Sequence, residues 1–282
     1  MNAGEIRIDA LLPPEMALRA EYLGVRKAEA PLLATFTLAL LAGAFISLGA
    51  VFSTTVAAGA SGVVPYGMVR LLAGLVFTVG LVLVIVGGAE LFTGNNLIVM
   101  AWAGGKVSSR GLLRNWGVVY AGNFVGAIGT VVLVFVSRQY TFGGGSVGTT
   151  ALATAAAKVD YGFVQALALG VLCNALVCLA VWLTFSARST IDRIAAIILP
   201  IAAFVAAGFE HSIANMYFIP IGLFIKGFDP SFTAASGVDV SRLTWQSFLL
   251  ANLLPVTVGN IIGGAVLVAA VYWFVFLHRS ER

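Results

Sequence analysis

The sequence contains two related octapeptides, GAELFTGN at residues 88–95 and GFEHSIAN at residues 208–215. Both fit the pattern G-x-E-x4-N, and the second begins 120 residues after the first. Another pair follows in the same order: GNFVG at residues 122–126 and GNIIG at residues 259–263. Two matches in one order predict an internal repeat, with one copy in each half of the chain.

Long apolar stretches surround both octapeptides. Hydrophobic residues make up 60% of the chain and charged residues 10%, and the mean hydropathy is +1.00, which is too apolar for a soluble domain. Six stretches are long enough to cross a bilayer, at about 20 residues each. They are residues 31–58, 70–103, 112–137, 160–187, 191–226 and 246–277. The second and fifth hold the octapeptides and are too long for one simple helix, so we expect both to be broken.

Three spans fall in each half of the channel domain 31–277, at about 31–137 and 160–277. An odd number of spans makes the second half enter the membrane from the opposite side. Inverted repeats of this kind bring broken helices together near the middle of the membrane, where they line a transport site. The sequence therefore predicts an all-α membrane protein with six transmembrane helices, arranged as an inverted 3+3 repeat with broken second and fifth helices.

The distribution of basic residues predicts the orientation. If the N-terminus is cytoplasmic, eleven of the 16 Lys and Arg residues fall on the cytoplasmic side. Cytoplasmic loops carry such an excess, so we expect both termini inside. The net charge of +4 is explained in this way, and we expect no binding of nucleic acid.

The first thirty residues lack the apolar core of a signal peptide. After Pro13-Pro14, Leu18, Tyr22 and Val25 recur at helical spacing. Residues 1–30 are predicted to be a cytoplasmic amphipathic segment, with a short helix after the prolines that lies on the membrane surface or against the bundle, or alternatively a plain tail. Residues 278–282 are predicted to be a second cytoplasmic tail.

Other features indicate no catalytic chemistry. Gly143-Gly144-Gly145 lacks the pattern of a phosphate-binding loop and predicts a flexible loop between spans three and four. Cys173 and Cys178 have no metal-ligand or redox spacing and are interpreted as small core residues. The zinc-site motif HExxH does not occur. A membrane enzyme or scaffold is the alternative class, but we expect no enzyme, metal or cofactor.

Asn123 and Asn260 belong to the GN-x-x-G pair. Small residues four apart let helices approach closely, which explains the glycines. The asparagines are predicted to bond across helices or to the broken segments, in a structural role more than a substrate-binding one.

Glu90, Glu210 and His211 are the ionisable residues deepest in apolar sequence, where such groups face a cavity or a partner. The glutamates are interpreted as ties for the broken segments. Histidine is the side chain whose unperturbed pKa lies near neutrality, and the place of His211 in a broken helix indicates function, with a satisfied core histidine as the alternative. Lys158 either pairs with Asp160 or attracts anions into an outer vestibule.

Four segments resemble the signature segments of the formate/nitrite transporter family. They are GAELFTGNN at 88–96, LCNALVCLAVW at 172–182, AAGFEHSIANM at 206–216 and NLLPVTVGNIIGG at 252–264. The resemblance runs from Leu11-Leu12-Pro13-Pro14 to the last span. Within the family the chain is most similar to the formate channels, although Gly94-Asn95 after Thr93 resembles nitrite-type members as much.

The resemblance implies an aquaporin-like protomer, assembled as a homopentamer with one pore in each protomer. It places Thr93 in the break of span two, facing His211 and Asn215 at the pore centre, with Glu210 beside the pathway. It implies a cytoplasmic-side constriction of apolar side chains from Leu81, Leu91, Phe92 and Val177. It implies a periplasmic-side constriction, below an outer funnel that contains Lys158, from Phe77, Phe204 and Asn174.

The expected function is transport of formate, or a related small monovalent anion, across the bacterial inner membrane, with protonation at His211. The partners are then small anions, protons, membrane lipid and further copies of the chain. Nitrite, hydrosulfide or a short-chain acid is the alternative cargo. Passage of the anion itself, with protonated His211 as a fixed counter-charge, is the alternative mechanism.

Overall fold

A computed structural model describes residues 10–278 of the chain, and all regular structure in that range is helical. Residues 279–282 of the predicted tail 278–282 and residues 1–9 lie outside the described part. Arg7, Arg279 and Arg282, which contribute to the predicted charge bias, therefore lie outside it as well.

The first half begins with a helix beside the bundle and continues with three spans. Its elements are α1 (Pro13–Glu29), α2 (Leu32–Ala57), α3 (Tyr66–Gly87), a 3₁₀ turn (Gly94–Ile98), α4 (Val99–Ala103) and α5 (Ser109–Val136). Together, α3, the 3₁₀ turn and α4 make the predicted broken second span.

The second half repeats this order. Its elements are a short 3₁₀ turn (Gln139–Thr141), α6 (Ser146–Val159), α7 (Phe163–Thr184), α8 (Thr190–Ala207), α9 (Ser212–Phe228) and α10 (Pro230–Ser236). The last span, Ser247–Phe276, is one long helix with π-helical stretches at Ser247–Leu253 and Ile262–Ala270; α11 (Leu254–Ile261) lies between them and α12 (Val271–Phe276) ends it. Together, α8 and α9 make the predicted broken fifth span.

Six helices of the described part are long and apolar enough to cross a membrane: α2, α3, α5, α7, α8 and the last span. These confirm the predicted number of spans, with boundaries that differ by a few residues. The outward faces carry exposed apolar side chains such as Leu33, Leu133 and Leu199, as expected for a surface in lipid.

Helix α6 occupies a segment for which the sequence predicted only a loop. The three glycines at 143–145 all have positive φ and form the tight entry to α6. Helix α6 packs against α9, as α1 packs against the 3₁₀ turn and α4 of the first half. Each half therefore consists of a flanking helix, a span, a broken span and a further span.

Helix α1 packs on the bundle through its small residues. Its buried face includes Met16, Ala17 and Gly24, whereas Leu18 and Tyr22 are 56% and 60% exposed. The spacing of Leu18 and Tyr22 thus marks the outward face of α1. The face against the bundle is flat enough for close contact with Ile98 and Ala101.

The glycines of the GN-x-x-G pair lie where helices cross closely. A Cβ atom on Gly126 would overlap the carbonyl oxygen of Leu40 in α2, and one on Gly263 would overlap that of Val171 in α7. These crossings equate α2 with α7 and α5 with the last span, as an inverted repeat requires. The prediction of an all-helical inverted repeat is confirmed.

Candidate functional site

Both broken spans stop at a glycine that needs a left-handed backbone. Gly88 follows α3 with φ of 77°, and Gly208 follows α8 with φ of 79°. Only glycine adopts this conformation at little cost, and it ends a helix by turning the chain out of line. The first glycine of each octapeptide thus sets the position of the break.

Asn123 of α5 holds the first break. Its Nδ2 donates to the carbonyl oxygens of Ala39, at 2.7 Å, and Glu90, at 2.9 Å. Its Oδ1 accepts a hydrogen bond from the N–H of Phe92 at 2.9 Å. The side chain therefore satisfies backbone groups that lost their helical partners at the break.

Asn260 of the last span holds the second break in the same way. Its Nδ2 donates to the carbonyl oxygens of Gly170, at 2.8 Å, and Glu210, at 3.0 Å. Its Oδ1 accepts from the N–H of Ser212 at 2.9 Å. Both asparagines have the structural role that the sequence indicated.

A charged cluster lies beside the first break. Lys27 Nζ of α1 is 2.7 Å from Glu90 Oε1, and Asn95 Nδ2 donates to Glu90 Oε2 at 2.6 Å. Asn95 Nδ2 also donates to Asn115 Oδ1, and Asn115 Nδ2 donates to the carbonyl oxygen of Lys27, both at 3.0 Å. The carboxylate is thus paired and hydrogen-bonded, which offsets the cost of its burial.

The same cluster recurs beside the second break. Lys158 Nζ of α6 is 2.6 Å from Glu210 Oε1, and Asn215 Nδ2 donates to Glu210 Oε2 at 2.7 Å. Asn215 Nδ2 also donates to Asn252 Oδ1, and Asn252 Nδ2 donates to the carbonyl oxygen of Lys158, both at 2.7 Å. The two clusters are related residue by residue through the inverted repeat.

The partner of Lys158 differs from the pairing weighed in the sequence. Lys158 pairs with Glu210, while Asp160 pairs with Arg242 at 3.0 Å on the surface. The Lys158 and Glu210 side chains are 14% and 2% exposed, against 34% and 14% for Lys27 and Glu90. The cluster on the α6 side is the more deeply buried of the two.

His211 and Thr93 meet at the centre, one from each half. His211 Nε2 lies 2.9 Å from Thr93 Oγ1, and His211 Nδ1 accepts a hydrogen bond from the N–H of Ala214 at 3.0 Å. Because Nδ1 is the acceptor, the neutral ring carries its proton on Nε2 and donates it to the threonine hydroxyl. The imidazole caps the N-terminus of α9 and orients Thr93 at the same time.

Two cavities approach this pair from opposite sides. The α1-side cavity has a volume of about 540 Å³, and the α6-side cavity about 230 Å³. They share no lining residue. The α1-side cavity reaches Leu91 and Gly94, and the α6-side cavity reaches His211, so Thr93 lies between them. The centre is closed in this conformation.

Phe77 and Phe204 line the α6-side cavity next to His211. Their rings meet edge to face at 5.7 Å between centroids, and Phe204 stacks on the His211 ring at 5.9 Å. His211 is only 3% exposed, yet it lines the cavity together with Asn215. The two aromatic rings thus form an apolar part of the cavity wall beside the imidazole.

Of the four residues expected to form the cytoplasmic-side constriction, two line a cavity and two are buried in the core. Leu81 and Leu91 line the α1-side cavity. Phe92 is buried against Tyr120, with ring centroids 4.9 Å apart, and Val177 is buried in the same core. Neither Phe92 nor Val177 lines one of the two cavities.

Asn174 lies beside Thr93 and not among the residues that line the α6-side cavity. Its Nδ2 donates to the carbonyl oxygen of Asn260 at 2.7 Å, to Asn96 Oδ1 at 3.2 Å and to the carbonyl oxygen of Thr93 at 3.3 Å. Cys178 Sγ also contacts the Thr93 carbonyl oxygen, at 3.3 Å. These contacts fix the backbone that presents the threonine hydroxyl.

Sequence reasoning missed Lys27, Asn115 and Asn252 as members of the clusters. A signal for them exists, because each of Asn115 and Asn252 lies eight residues before the asparagine of its GN-x-x-G motif. Lys27 and Lys158 likewise precede their first spans at corresponding positions. Extending the repeat outward from the octapeptides would have identified all three.

Two broken helices that meet end to end, with a cavity on each side and a hydroxyl–imidazole pair between them, define a membrane transport protein with an inverted-repeat fold. Comparison with known proteins identifies the family. Residues 14–274 match the family model described as "Formate/nitrite transporter". The chain belongs to the formate/nitrite transporter family.

Relatives of known name and structure agree with this membership. "Formate channel FocA" of Escherichia coli strain K12 is 47% identical over 278 residues, 97% of each chain. That of Haemophilus influenzae is 41% identical and covers 91% of this chain and 92% of its own. A solved structure described as "Pentameric formate channel with formate bound" is 47% identical, with a TM-score of 0.81 over 87% of this chain and 98% of that one.

Proposed function

We propose that this protein transports formate across the bacterial inner membrane and assembles as a homopentamer, with a separate pathway in each protomer. The formate channels and the pentameric structure to which the chain is similar support this proposal. The observation that carries it is the His211–Thr93 pair, which lies at the narrow point between two cavities. The protein acts as a transporter and not as an enzyme.

The apolar passage favours a neutral cargo. Moving a carboxylate from water to an ideal medium of low dielectric constant costs about 20 kcal/mol, and several kcal/mol after relaxation. Protonating a carboxylate with a pKa of about 3.5 at pH 7 costs only about 5 kcal/mol. We therefore propose that formate passes the rings of Phe77 and Phe204 as formic acid.

His211 and Thr93 supply the proton in this mechanism. Ala214, whose N–H occupies Nδ1, lines the α6-side cavity together with His211. A proton from cavity water binds Nδ1 and displaces this N–H, and the proton on Nε2 passes to the Thr93 hydroxyl, which gives its own hydrogen to formate. One proton has then moved from water to formate, the Thr93 hydroxyl is restored, and the imidazole is neutral with its proton on Nδ1. Loss of that proton to water and return of a proton to Nε2 restore the starting tautomer.

Proton flux tests this mechanism directly. In liposomes that contain the purified protein, labelled formate uptake and internal pH are recorded together, and one proton per formate is expected. His211→Asn is the matched variant, because an asparagine can still cap α9 but cannot carry a proton. We expect it to lose the pH dependence of uptake. Formate uptake without a proton would instead establish passage of the anion.

Nitrite is the alternative cargo of the same pathway, since it is also a small monovalent anion of a weak acid. Competition between labelled formate and unlabelled nitrite measures the preference. We expect formate to be the better competitor, because the relatives compared above are named for formate. A stronger effect of nitrite would reverse this assignment.

We also propose that the α1 side faces the cytoplasm, with both termini inside. Arg19, Arg26, Lys27 and Arg193 line the α1-side cavity, as the rule for basic residues favours. Single cysteines placed at Ser186 and Gly144 test the orientation. In intact cells, an impermeant thiol reagent should label the Gly144→Cys variant only, and labelling of Ser186→Cys alone would invert the topology.

A further inference from the structure

Arg70 lines the α6-side cavity from the second turn of α3. We propose that Arg70, and not Lys158, supplies the positive charge that attracts anions into this cavity. The inference rests on the proposed function, because it concerns how the transported anion arrives. It follows from the pairing of the charges around the cavity.

The charged side chains that line the α6-side cavity are Arg70, Lys158 and Glu210. Lys158 Nζ lies 2.6 Å from Glu210 Oε1, so their opposite charges largely cancel at the distance of an approaching anion. Lys158 Nζ also lies 5.3 Å from the centre of the Phe218 ring, which holds it against the wall. The pair adds little net field to the cavity.

Arg70 has partners of a different kind. Its Nε donates to the carbonyl oxygen of Ala206 at 3.3 Å, and its Nη2 donates to the carbonyl oxygen of Val205. These oxygens belong to the last turn of α8, beside the break, and that of Val205 also accepts a hydrogen bond from the N–H of Gly208 at 3.1 Å. In the part of the chain that the structure describes, Arg70 makes no ion pair with a carboxylate.

The remaining positive charge therefore belongs to Arg70. A carbonyl oxygen carries only a partial charge, so two such contacts hold the guanidinium in place without neutralising it. A guanidinium has five N–H donors, and two are used here, which leaves others to face an incoming carboxylate. Asp160, which follows Lys158 by two residues, is itself paired with Arg242 at 3.0 Å.

A single uncompensated charge at a narrow mouth raises the local concentration of anions, and this effect weakens as salt screens it. For Arg70→Gln we expect uptake at low formate to fall by about three- to tenfold at low ionic strength. The maximal rate at saturating formate should change less. The dependence of uptake on ionic strength should flatten.

The test compares four proteins in liposomes, scored for the fraction inserted with the α6 side outward. Arg70→Lys keeps the charge and should keep the salt dependence of the unaltered protein. The double variant Arg242→Gln/Asp160→Asn removes both members of an exposed ion pair and leaves the net charge unchanged, so it should behave as the unaltered protein. Arg70→Gln is expected to differ from all three.

Because Arg70 also caps α8, a second variant separates charge from structure. Tyr66 lines the same cavity one helical turn from Arg70. Tyr66→Glu leaves the guanidinium and its carbonyl contacts in place but cancels the charge, so it should lower uptake at low formate as Arg70→Gln does. A merely structural role of Arg70 would leave the salt dependence of Tyr66→Glu unchanged.

The outcomes are distinct. Formate uptake by the unaltered protein tests the proposed function by itself. If the unaltered protein takes up formate and Arg70→Gln or Tyr66→Glu keeps the same salt dependence, the assignment of Arg70 is overturned while transport stands. A loss in both variants, with normal behaviour of Arg70→Lys, supports the assignment.

Discussion

Asn123 and Asn260 make the same three backbone hydrogen bonds on opposite sides of the molecule. Each side-chain amide bonds one carbonyl oxygen in the middle of a neighbouring span. It also bonds one carbonyl oxygen and one N–H at the non-helical break of a broken span. The breaks are therefore held by side chains that come from the third span of their own half. This explains how non-helical backbone persists deep in an apolar bundle.

Replacing Asn260 with alanine should destabilise the fold. Three buried backbone groups would lose their partners, and we expect the free energy of unfolding to fall by about 2–4 kcal/mol. Gln139→Ala, which removes an exposed side chain bonded to Thr55, is the control and should change stability by less than about 0.5 kcal/mol. Unfolding midpoints in detergent compare them, and equal midpoints would contradict the assigned role.

Thr93→Val should impair transport while leaving the fold intact. Valine has nearly the shape of threonine but cannot accept the Nε2 proton of His211, so we expect formate uptake to fall at least about tenfold. Thr93→Ser keeps a hydroxyl and should retain most of the uptake. The measurement is initial uptake in liposomes, and equal rates for valine and serine would exclude a hydroxyl relay.

The two ion pairs should differ in their contribution to stability. Lys158→Met leaves Glu210 almost fully buried without its partner, and we expect a loss of about 3 kcal/mol. Lys27→Met should cost less than half as much, because Lys27 and Glu90 are 34% and 14% exposed, against 14% and 2% for Lys158 and Glu210. Thermal unfolding of both variants measures this. A larger loss from Lys27→Met would refute the burial argument.

Two glycines of α5 should respond differently to the same substitution. Gly126→Ala would drive a methyl group against the Leu40 carbonyl, with an expected cost of about 1–3 kcal/mol. Gly129→Ala has open space around its Cβ position and should be neutral or stabilising by up to about 1 kcal/mol. Unfolding midpoints should therefore move in opposite directions or by clearly different amounts.

An acid-sensitive contact joins the segments on the α6 side. The N–H of Phe232 and the hydroxyl of Tyr140 hold the pKa of the Asp229 carboxyl below its usual 3.8. A lowered carboxyl pKa stabilises the fold above the ordinary pKa, and the stabilisation is lost as pH falls through the lower folded value. Asp229→Asn should thus have a lower unfolding midpoint than the unaltered protein at pH 7. In strong acid, where Asp229 is protonated, the two midpoints should be equal. A constant difference at every pH would contradict this.

The breaks were predictable because each depends on a local signal. Gly88 and Gly208 are the residues whose backbone needs positive φ, and the octapeptides place them. Helix α6 was not predictable in the same way, since its Ala- and Thr-rich sequence has weak amphipathicity and follows three glycines. Its stability comes from packing on α9, which no local pattern encodes.

The choice of ion-pair partners depended on tertiary structure. Asp160 is close to Lys158 in sequence, but α6 and the break after α8 bring Glu210 closer in space. The contact between His211 and Thr93 joins a residue of the second half to one of the first half. Nothing within either octapeptide predicts this contact. The sequence therefore predicted where each half and each break lies. It did not predict which residues of the two halves contact each other, because those contacts depend on the tertiary structure.

The contact between His211 and Thr93 also limits how such a protein can originate and change. In the repeat, His211 corresponds to Leu91, and Thr93 corresponds to Ile213. Two identical copies of one half would place two histidines, or none, around the centre. The halves must therefore differ in sequence at these positions, and joining them in one chain ensures that every centre receives one histidine and one threonine.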